Sequence, residues 1–158
     1  MFYVPYLYFM VTIDQIKELR NKTGVSIGEC KKALEEANGD MQKAEEILKK
    51  AGQEFAQKRL NRETKEGIID SYIHTGRKVG VMIELNCESD FVARSEDFKK
   101  LAHELCLQIA ALPAKDKEDL LEQVWIKDQS KTVKDLINGY IAKFGENITL
   151  KRFVRYEL

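Results

Sequence analysis

The chain has 158 residues, of which 44% are hydrophobic and 33% are charged, and 26 basic and 26 acidic side chains give a formal net charge of zero. This length can bury one good core or two small ones, and the apolar content argues against extensive disorder. The balanced charge argues against a strong field directed at nucleic acid or at a membrane surface.

Residues 1–11 are predicted to be an N-terminal extension, because residues 1–9 differ in composition from everything that follows. They contain no charged side chain. They also lack the basic start of a signal peptide and are too short to span a membrane. We therefore expect neither a membrane segment nor a transit peptide here.

Residues 12–52 contain three helical segments with recognisable starts and stops. Thr12 with Gln15 and Ser26 with Glu29 both fit a capping box, in which two side chains satisfy free backbone amides reciprocally. A third helix is predicted to begin after Asp40. Glycines are expected to end the three helices, namely Gly24, Gly39 and Gly52.

Each of these helices carries one apolar stripe, which it can bury only against the other two. We therefore expect a compact three-helix bundle. The stripes are Ile13, Ile16 and Leu19; Ile27, Cys30, Leu34 and Ala37; and Met41, Ala44, Ile47 and Leu48.

Residues 53–66 are mostly polar and are predicted to be a connector, into which the third helix can continue. Phe55 and Leu60 are its main apolar positions. Its basic residues are interrupted by glutamates, so a solvated face explains them better than phosphate binding does. These basic residues are Lys58, Arg59, Arg62 and Lys65.

Residues 67–158 predict an α+β domain, an antiparallel sheet of at least three strands covered by helices. Its strands are expected over 68–74, from Val79 to Leu85, and over 148–157. Helices are expected from Ser95 to Pro113, within 118–127 around Leu121, Val124 and Trp125, and from Thr132 to Gly145.

The connection over residues 86–94, between a strand and a helix, is the most informative stretch. It places the carboxylate of Asp90 beside the ring of Phe91. In the ordinary structural interpretation, Phe91 staples the strand to the helix and Asp90 caps a turn. Functional side chains are nevertheless concentrated on such connections, because connections run over the surface.

Cys87-Glu88-Ser89-Asp90-Phe91-Val92-Ala93-Arg94 closely resembles the signature of elongation factor Ts, with Ser89 in place of the usual threonine. Leu19–Gly24, Cys30–Leu34 and Ala37–Asp40 match the start of that family, and Lys143–Ile148 matches its end. These matches occur in the family's order and cover most of residues 12–158. Because the resemblance begins at Val11, we expect translation to start at Met10.

The resemblance implies a guanine nucleotide exchange factor that binds elongation factor Tu·GDP, displaces its magnesium ion and allows GTP to bind again. The contact residues implied by the resemblance are Ser89, Asp90, Phe91 and Val92. Asp90 and Phe91 would be pushed toward the magnesium site, on a turn shaped by the other two. The ubiquitin-associated-like bundle would dock on the G domain through Gly24, Val25 and Ser26. No catalytic residue, metal, cofactor, membrane or direct nucleic-acid contact is implied, and a cytoplasmic location is expected.

One departure from the family concerns the passage from Pro113 directly to Glu118, where even short members usually have additional helical sequence. As in short members, the strand from Ile148 to Tyr156 is expected to contribute to a homodimer, because its mixed faces suggest an open sheet edge. The missing segment would affect that contact.

Two other functions are compatible with parts of the sequence. A thiol enzyme would use Cys87 with His74 or His103 as base, although nearby glutamates would raise the thiol pKa. Cys30 and Cys106 read as core residues, and the isolated histidines predict no zinc cluster. A simple binding module for ubiquitin-like proteins or RNA would explain the bundle but would leave the second module without a role.

Overall fold

The computed structural model describes residues 10–158, so residues 1–9 of the extension expected over 1–11 lie outside the described part, whereas Val11 packs against the core of the first unit. The chain divides into two compact units, of which one ends at Gly52 and the other comprises Gln53–Leu158. The elements are α1 (Ile13–Thr23), α2 (Ile27–Glu36), α3 (Met41–Arg59), β1 (Glu66–Ile73), β2 (Val79–Cys87), α4 (Asp90–Arg94), α5 (Glu96–Ala111), α6 (Lys117–Glu122), β3 (Val124–Trp125), β4 (Asp128–Thr132), α7 (Val133–Phe144) and β5 (Ile148–Glu157).

The first unit is the predicted helical bundle, with most of its predicted caps in place. Thr12 and Gln15 form the capping box of α1, and Ser26 accepts a hydrogen bond from the Glu29 amide. Gly24 ends α1 in the left-handed conformation, with a φ of 70°. The buried core residues are Leu19, Cys30, Ala33, Leu34, Ala37 and Ala44.

Two of the predicted stripe residues do not belong to this core. Ile13 and Ile27 are each the first residue of their helix, and both side chains are exposed. A helical side chain leans toward the N-terminus and packs over the preceding turn of its helix. A residue in the first turn has no such turn to pack over, so helical spacing alone overestimates its burial.

The prediction that Gly52 ends the third helix is wrong, because α3 continues through it to Arg59. Beyond the glycine, Ala56 is buried in the core of the second unit and Phe55 packs against that core. A glycine inside a helix costs only ~0.5–1 kcal/mol relative to alanine, so tertiary burial can outweigh it. The third helix therefore continues into the expected connector, as the sequence analysis allowed, and the first half of that connector is helical.

The second unit has the predicted α+β architecture. Its main sheet has the order β1-β2-β5 with both pairs antiparallel, so β5 is an edge strand within the described part of the chain. Alternation along β2 buries one face against α5 and α7, as the period of two predicts. The buried β2 residues are Val81, Ile83, Leu85 and Cys87.

The helix predicted within residues 118–127 is shorter than expected. It ends at Glu122, and Val124 and Trp125 instead form β3, which pairs with β4. The fully buried side chain of Gln108 in α5 accounts for this strand. Its Nε2 donates to the Val124 carbonyl at 3.1 Å, and its Oε1 accepts from the Ile126 amide at 2.9 Å. These long-range bonds favour extended backbone here.

The helix capped by Thr132 ends at Gly145, which has a φ of 73°, as predicted. The helix predicted from Ser95 is α5, and Ser95 caps it. Within the part of the chain that the structure describes, no helix is both long and apolar enough to cross a membrane.

Candidate functional site

The stretch interpreted above as a connection contains one turn of helix, α4. The Ser89 hydroxyl caps it by accepting a hydrogen bond from the Val92 amide at 3.4 Å. The cap is therefore Ser89, so the alternative in which Asp90 caps a turn is wrong. Because a serine hydroxyl can cap a helix as a threonine hydroxyl does, the replacement at this position preserves the local structure.

This helical turn buries one face and exposes Phe91 on the other. Phe91 is 83% exposed, whereas Val92 and Ala93 are buried in the main core. The interpretation of Phe91 as a staple is therefore wrong. Val92, which was grouped with the contact residues, anchors the turn and offers almost no surface to a partner.

Asp90 lies beside Phe91 and is also exposed. Its carboxylate forms an ion pair with Arg94, 3.1 Å away and one helical turn further on. Exposed pairs of this spacing contribute only ~0.3–0.5 kcal/mol. Asp90 is therefore weakly held and accessible, next to the most exposed ring of this surface.

Glu146 anchors the start of α4. One of its carboxylate oxygens accepts from the Ser89 hydroxyl at 2.6 Å, and the other accepts from the Ser89 amide at 3.0 Å. Hydrogen bonds to a carboxylate are shorter and stronger than neutral ones. The sequence motif that contains Glu146 had suggested family membership but no role for this residue.

A second carboxylate makes the reciprocal contact. Glu88 accepts a hydrogen bond from the backbone amide of Asn147 at 2.6 Å, and its carboxylate lies 3.4 Å from the guanidinium of Arg62. Asn147 is buried, and its side-chain amide donates to the carbonyls of Arg62 at 2.8 Å and Leu60 at 3.4 Å. Three segments that are distant in sequence, residues 60–62, 88–89 and 146–147, therefore meet at the start of α4.

The environment of Cys87 opposes the thiol-enzyme hypothesis. Its side chain is fully buried, and its thiol donates to the Ser89 carbonyl at 3.2 Å. Burial, followed by the negative charge of Glu146, raises the pKa of Cys87 to about 11. The thiol is therefore protonated at neutral pH, whereas a nucleophile needs the thiolate.

The two histidines have other neighbours. The ring of His74 lies 3.1 Å from the Tyr72 hydroxyl, and His103 lies 3.9 Å from the Asp70 carboxylate. Cys30 and Cys106 are buried, as predicted. Among residues 10–158, no group of three or more His, Cys, Asp or Glu side chains could hold a metal ion.

The proposed docking residues lie together at the α1–α2 corner of the first unit. Gly24 and Ser26 are exposed, and the half-buried Val25 packs against the core of the bundle. Ile27, which the sequence pattern assigned to the core, is 55% exposed and directly follows them. Its position at the first turn of α2 was the signal that could have identified it as a surface residue.

Comparison with known proteins gives matches to both units. The family model described as "Elongation factor Ts, mitochondrial, N-terminal" matches residues 5–57, and the one described as "Elongation factor TS" matches residues 88–158. The chain is 45% identical to elongation factor Ts of Thermotoga maritima, over 94% of this chain and 96% of that protein. It is 42% identical to elongation factor Ts of Moorella thermoacetica, over 94% and 96%.

A helical bundle, an α+β unit and these matches together define a translation elongation factor. The chain belongs to the elongation factor Ts family. The alignment with the Thermotoga maritima protein spans 191 positions, which exceeds the 158 residues of this chain. Such relatives therefore contain residues that this chain lacks, and their placement after Pro113 stays a prediction.

Proposed function

We propose that the chain binds elongation factor Tu·GDP and promotes release of GDP by displacing the magnesium ion, after which GTP binds. The observation that supports this most directly is the display of Phe91, an exposed ring on a turn whose other face is buried. A large apolar side chain without a local packing role is the kind of group that inserts into a partner.

Exchange of this kind requires no catalytic acid, base or cofactor from the chain itself. The factor must bind one conformation of the partner more tightly than another, and the partner's affinity for GDP then falls reciprocally. Phe91 would act as a wedge in an apolar crevice of the G domain. The wedge would shift the elements of the G domain that hold the magnesium ion in place, and the ion would then be released.

Asp90 would act on the same step through its charge. Magnesium bridging the phosphates is the largest positive charge in a nucleotide site, so losing it weakens phosphate binding. A carboxylate brought close to the phosphates would further disfavour them by like-charge repulsion. In this proposal Ser89 and Val92 hold the turn, and they act on the partner only through Asp90 and Phe91.

The test is release of fluorescent GDP from purified elongation factor Tu with and without the chain. We expect strong acceleration at millimolar magnesium. When EDTA has already removed the metal, the acceleration should largely disappear, because the step that the chain supplies has been bypassed. Equal acceleration with and without magnesium would refute the displacement step while leaving exchange itself intact.

The domain assignment that we propose has a docking module over 12–52, a connector over 53–66 and a core module over 67–158. The docking module would contact the G domain through the loop of Gly24, Val25 and Ser26. The protein would work in the cytoplasm and bind no nucleic acid directly. The exposed side chain of Ile27 extends this candidate contact surface.

Ile27→Ser is therefore expected to weaken binding to elongation factor Tu about fivefold or more, with little change in thermal unfolding. The reason is that an exposed apolar contact contributes to the interface and not to the core of the bundle. The measurement is titration calorimetry or surface binding. Ile126→Ser is the matched control, because Ile126 is also exposed but lies in the β3–β4 turn. Equal affinities for both variants would contradict docking at this corner.

We also propose a homodimer through the outer face of the main sheet and its edge strand β5. Ile69, Met82 and Val154 are exposed there and line a groove of about 330 Å³. Of the elements that the structure describes, none covers this apolar face or pairs with the outer edge of β5. Such a surface suits a second copy of itself.

Light scattering at micromolar concentration should accordingly give twice the monomer mass, and Val154→Asp should give the monomer. A buried carboxylate without a partner opposes association. Val124→Asp places the same charge on an exposed valine of β3 and should leave the dimer intact. A monomeric mass for the unmodified chain would exclude the dimer.

A further inference from the structure

We propose that Glu146 is a positioning residue for Phe91, acting through Ser89 and the start of α4. This inference rests on the proposed function, since it assigns to a distant segment the task of aiming the wedge. The geometry that supports it is the pair of hydrogen bonds from Ser89 into one carboxylate, at 2.6 and 3.0 Å.

Phe91 cannot fix its own direction. Its ring is almost entirely exposed, so the orientation depends on the helical turn that carries it. That turn has only five residues, and a helix of this length is not stable alone, because nucleation costs more than its few hydrogen bonds return. External contacts must therefore hold it, and burial of Val92 and Ala93 secures only one side.

Glu146 supplies the contact at the other end of the turn. It follows Gly145, which terminates α7, and a single residue, Asn147, separates it from β5. Its side chain is half-buried. Its carboxylate accepts both donors of Ser89, so it fixes the residue from which α4 begins.

The reciprocal bond from Asn147 to Glu88 strengthens this arrangement. Residues 88–89 and 146–147 each supply a carboxylate to the other segment. Two crossed contacts resist both translation and rotation of one segment against the other, whereas a single bond permits a hinge. The buried side-chain amide of Asn147 further ties this corner to the carbonyl of Arg62.

The test is a double-mutant cycle with Glu146→Ala and Phe91→Ala, read as stimulated GDP release at saturating protein. Glu146→Ala alone is expected to slow release about tenfold, the factor associated with losing one charge-assisted hydrogen bond. In the Phe91→Ala background the same change should slow release less than twofold, because no wedge remains to be aimed.

The matched control is Asp128→Ala. Asp128 likewise accepts hydrogen bonds from the amide and hydroxyl of one serine, Ser130, but it lies in β4. This variant should keep full exchange activity in both backgrounds. If Asp128→Ala slows GDP release as much as Glu146→Ala does, the effect comes from general loosening of the domain, and the proposal is overturned.

The remaining outcomes separate the two levels of inference. If Phe91→Ala slows release and Glu146→Ala does not, or if their effects multiply, the positioning role is wrong and the wedge stands. If Phe91→Ala itself is fully active, the wedge and the positioning role both fail.

Should Glu146→Ala not fold, Glu146→Gln takes its place in the cycle. Its carbonyl can keep one of the two Ser89 bonds, so an intermediate slowing that vanishes without Phe91 is expected, and any other result counts against the proposal.

Discussion

Phe91→Ala is expected to slow stimulated GDP release from elongation factor Tu by at least about tenfold, while the free protein unfolds at almost the same temperature. Aromatic anchors at interfaces typically contribute ~2 kcal/mol or more when truncated, and 1.4 kcal/mol is a factor of ten. The ring is 83% exposed in the free chain, so its removal leaves no cavity behind. The paired measurements are fluorescent GDP release and thermal unfolding.

Phe98→Ala provides the matched control for this prediction. Phe98 is seven positions further along, on α5, and is completely buried in the main core. Truncating a buried phenylalanine costs ~3–5 kcal/mol of stability, through lost burial and the cavity that remains. Phe98→Ala should therefore unfold at a much lower temperature, and the molecules that remain folded should still exchange nucleotide.

Asp90→Ala tests whether the neighbouring carboxylate acts on the partner or only on α4. Arg94→Ala breaks the same ion pair without removing the carboxylate. If Asp90 contacts the partner, Asp90→Ala slows release and Arg94→Ala does not. The effect of Asp90→Ala on GDP release should also be non-additive with that of Phe91→Ala, because adjacent residues at one contact are coupled. The wedge mechanism is wrong if Phe91→Ala destabilises the fold but exchanges normally per folded molecule.

Gly67→Ala is the second large expected effect, in this case on stability. Gly67 pairs with Asn86 at the end of β2 that leads to the Phe91 turn. Its φ is +159°, and a Cβ there would lie 2.3 Å from the Leu85 carbonyl oxygen and 2.8 Å from the Asn86 Cα. Neither backbone atom can yield without disturbing the strand pair. We expect a loss of at least about 2 kcal/mol in the free energy of unfolding, from backbone strain and overpacking together.

Gly139→Ala is the control, with the opposite sign expected. Gly139 lies inside α7, and a Cβ there would meet nothing within 4 Å. Replacing a glycine in a helix interior by alanine stabilises by ~0.5–1 kcal/mol. In urea unfolding, the midpoint concentration should therefore fall for Gly67→Ala and rise for Gly139→Ala. A neutral Gly67→Ala would mean that the strand pair at Asn86 can relax.

Local patterns in the sequence were sufficient for the elements and their ends. Thr12, Ser26 and Thr132 were identified as caps from side-chain chemistry alone, and the structure confirms all three. Gly24 and Gly145 stop helices because a residue without Cβ adopts the left-handed conformation at little cost. These features depend on residues within four positions of each other, so a linear sequence contains the necessary information.

Local patterns failed where distant residues decided the outcome. Gly52 does not end α3, because Ala56 finds burial in the second unit. Trp125 lies in a strand, because the side chain of Gln108 satisfies the backbone on both sides of it. In both cases a tertiary contact is worth more than the local preference that opposes it.

The sequence by itself determined the family, the α+β class and the motif that carries Asp90 and Phe91. It did not determine which side chains of that motif face outward. Helical residues 91 and 92 point in different directions, and only packing against the sheet and α5 exposes Phe91 and buries Val92. Nor could spacing bring Glu146 to Ser89, since they are 57 positions apart in the chain and their hydrogen bond forms only after the chain has folded.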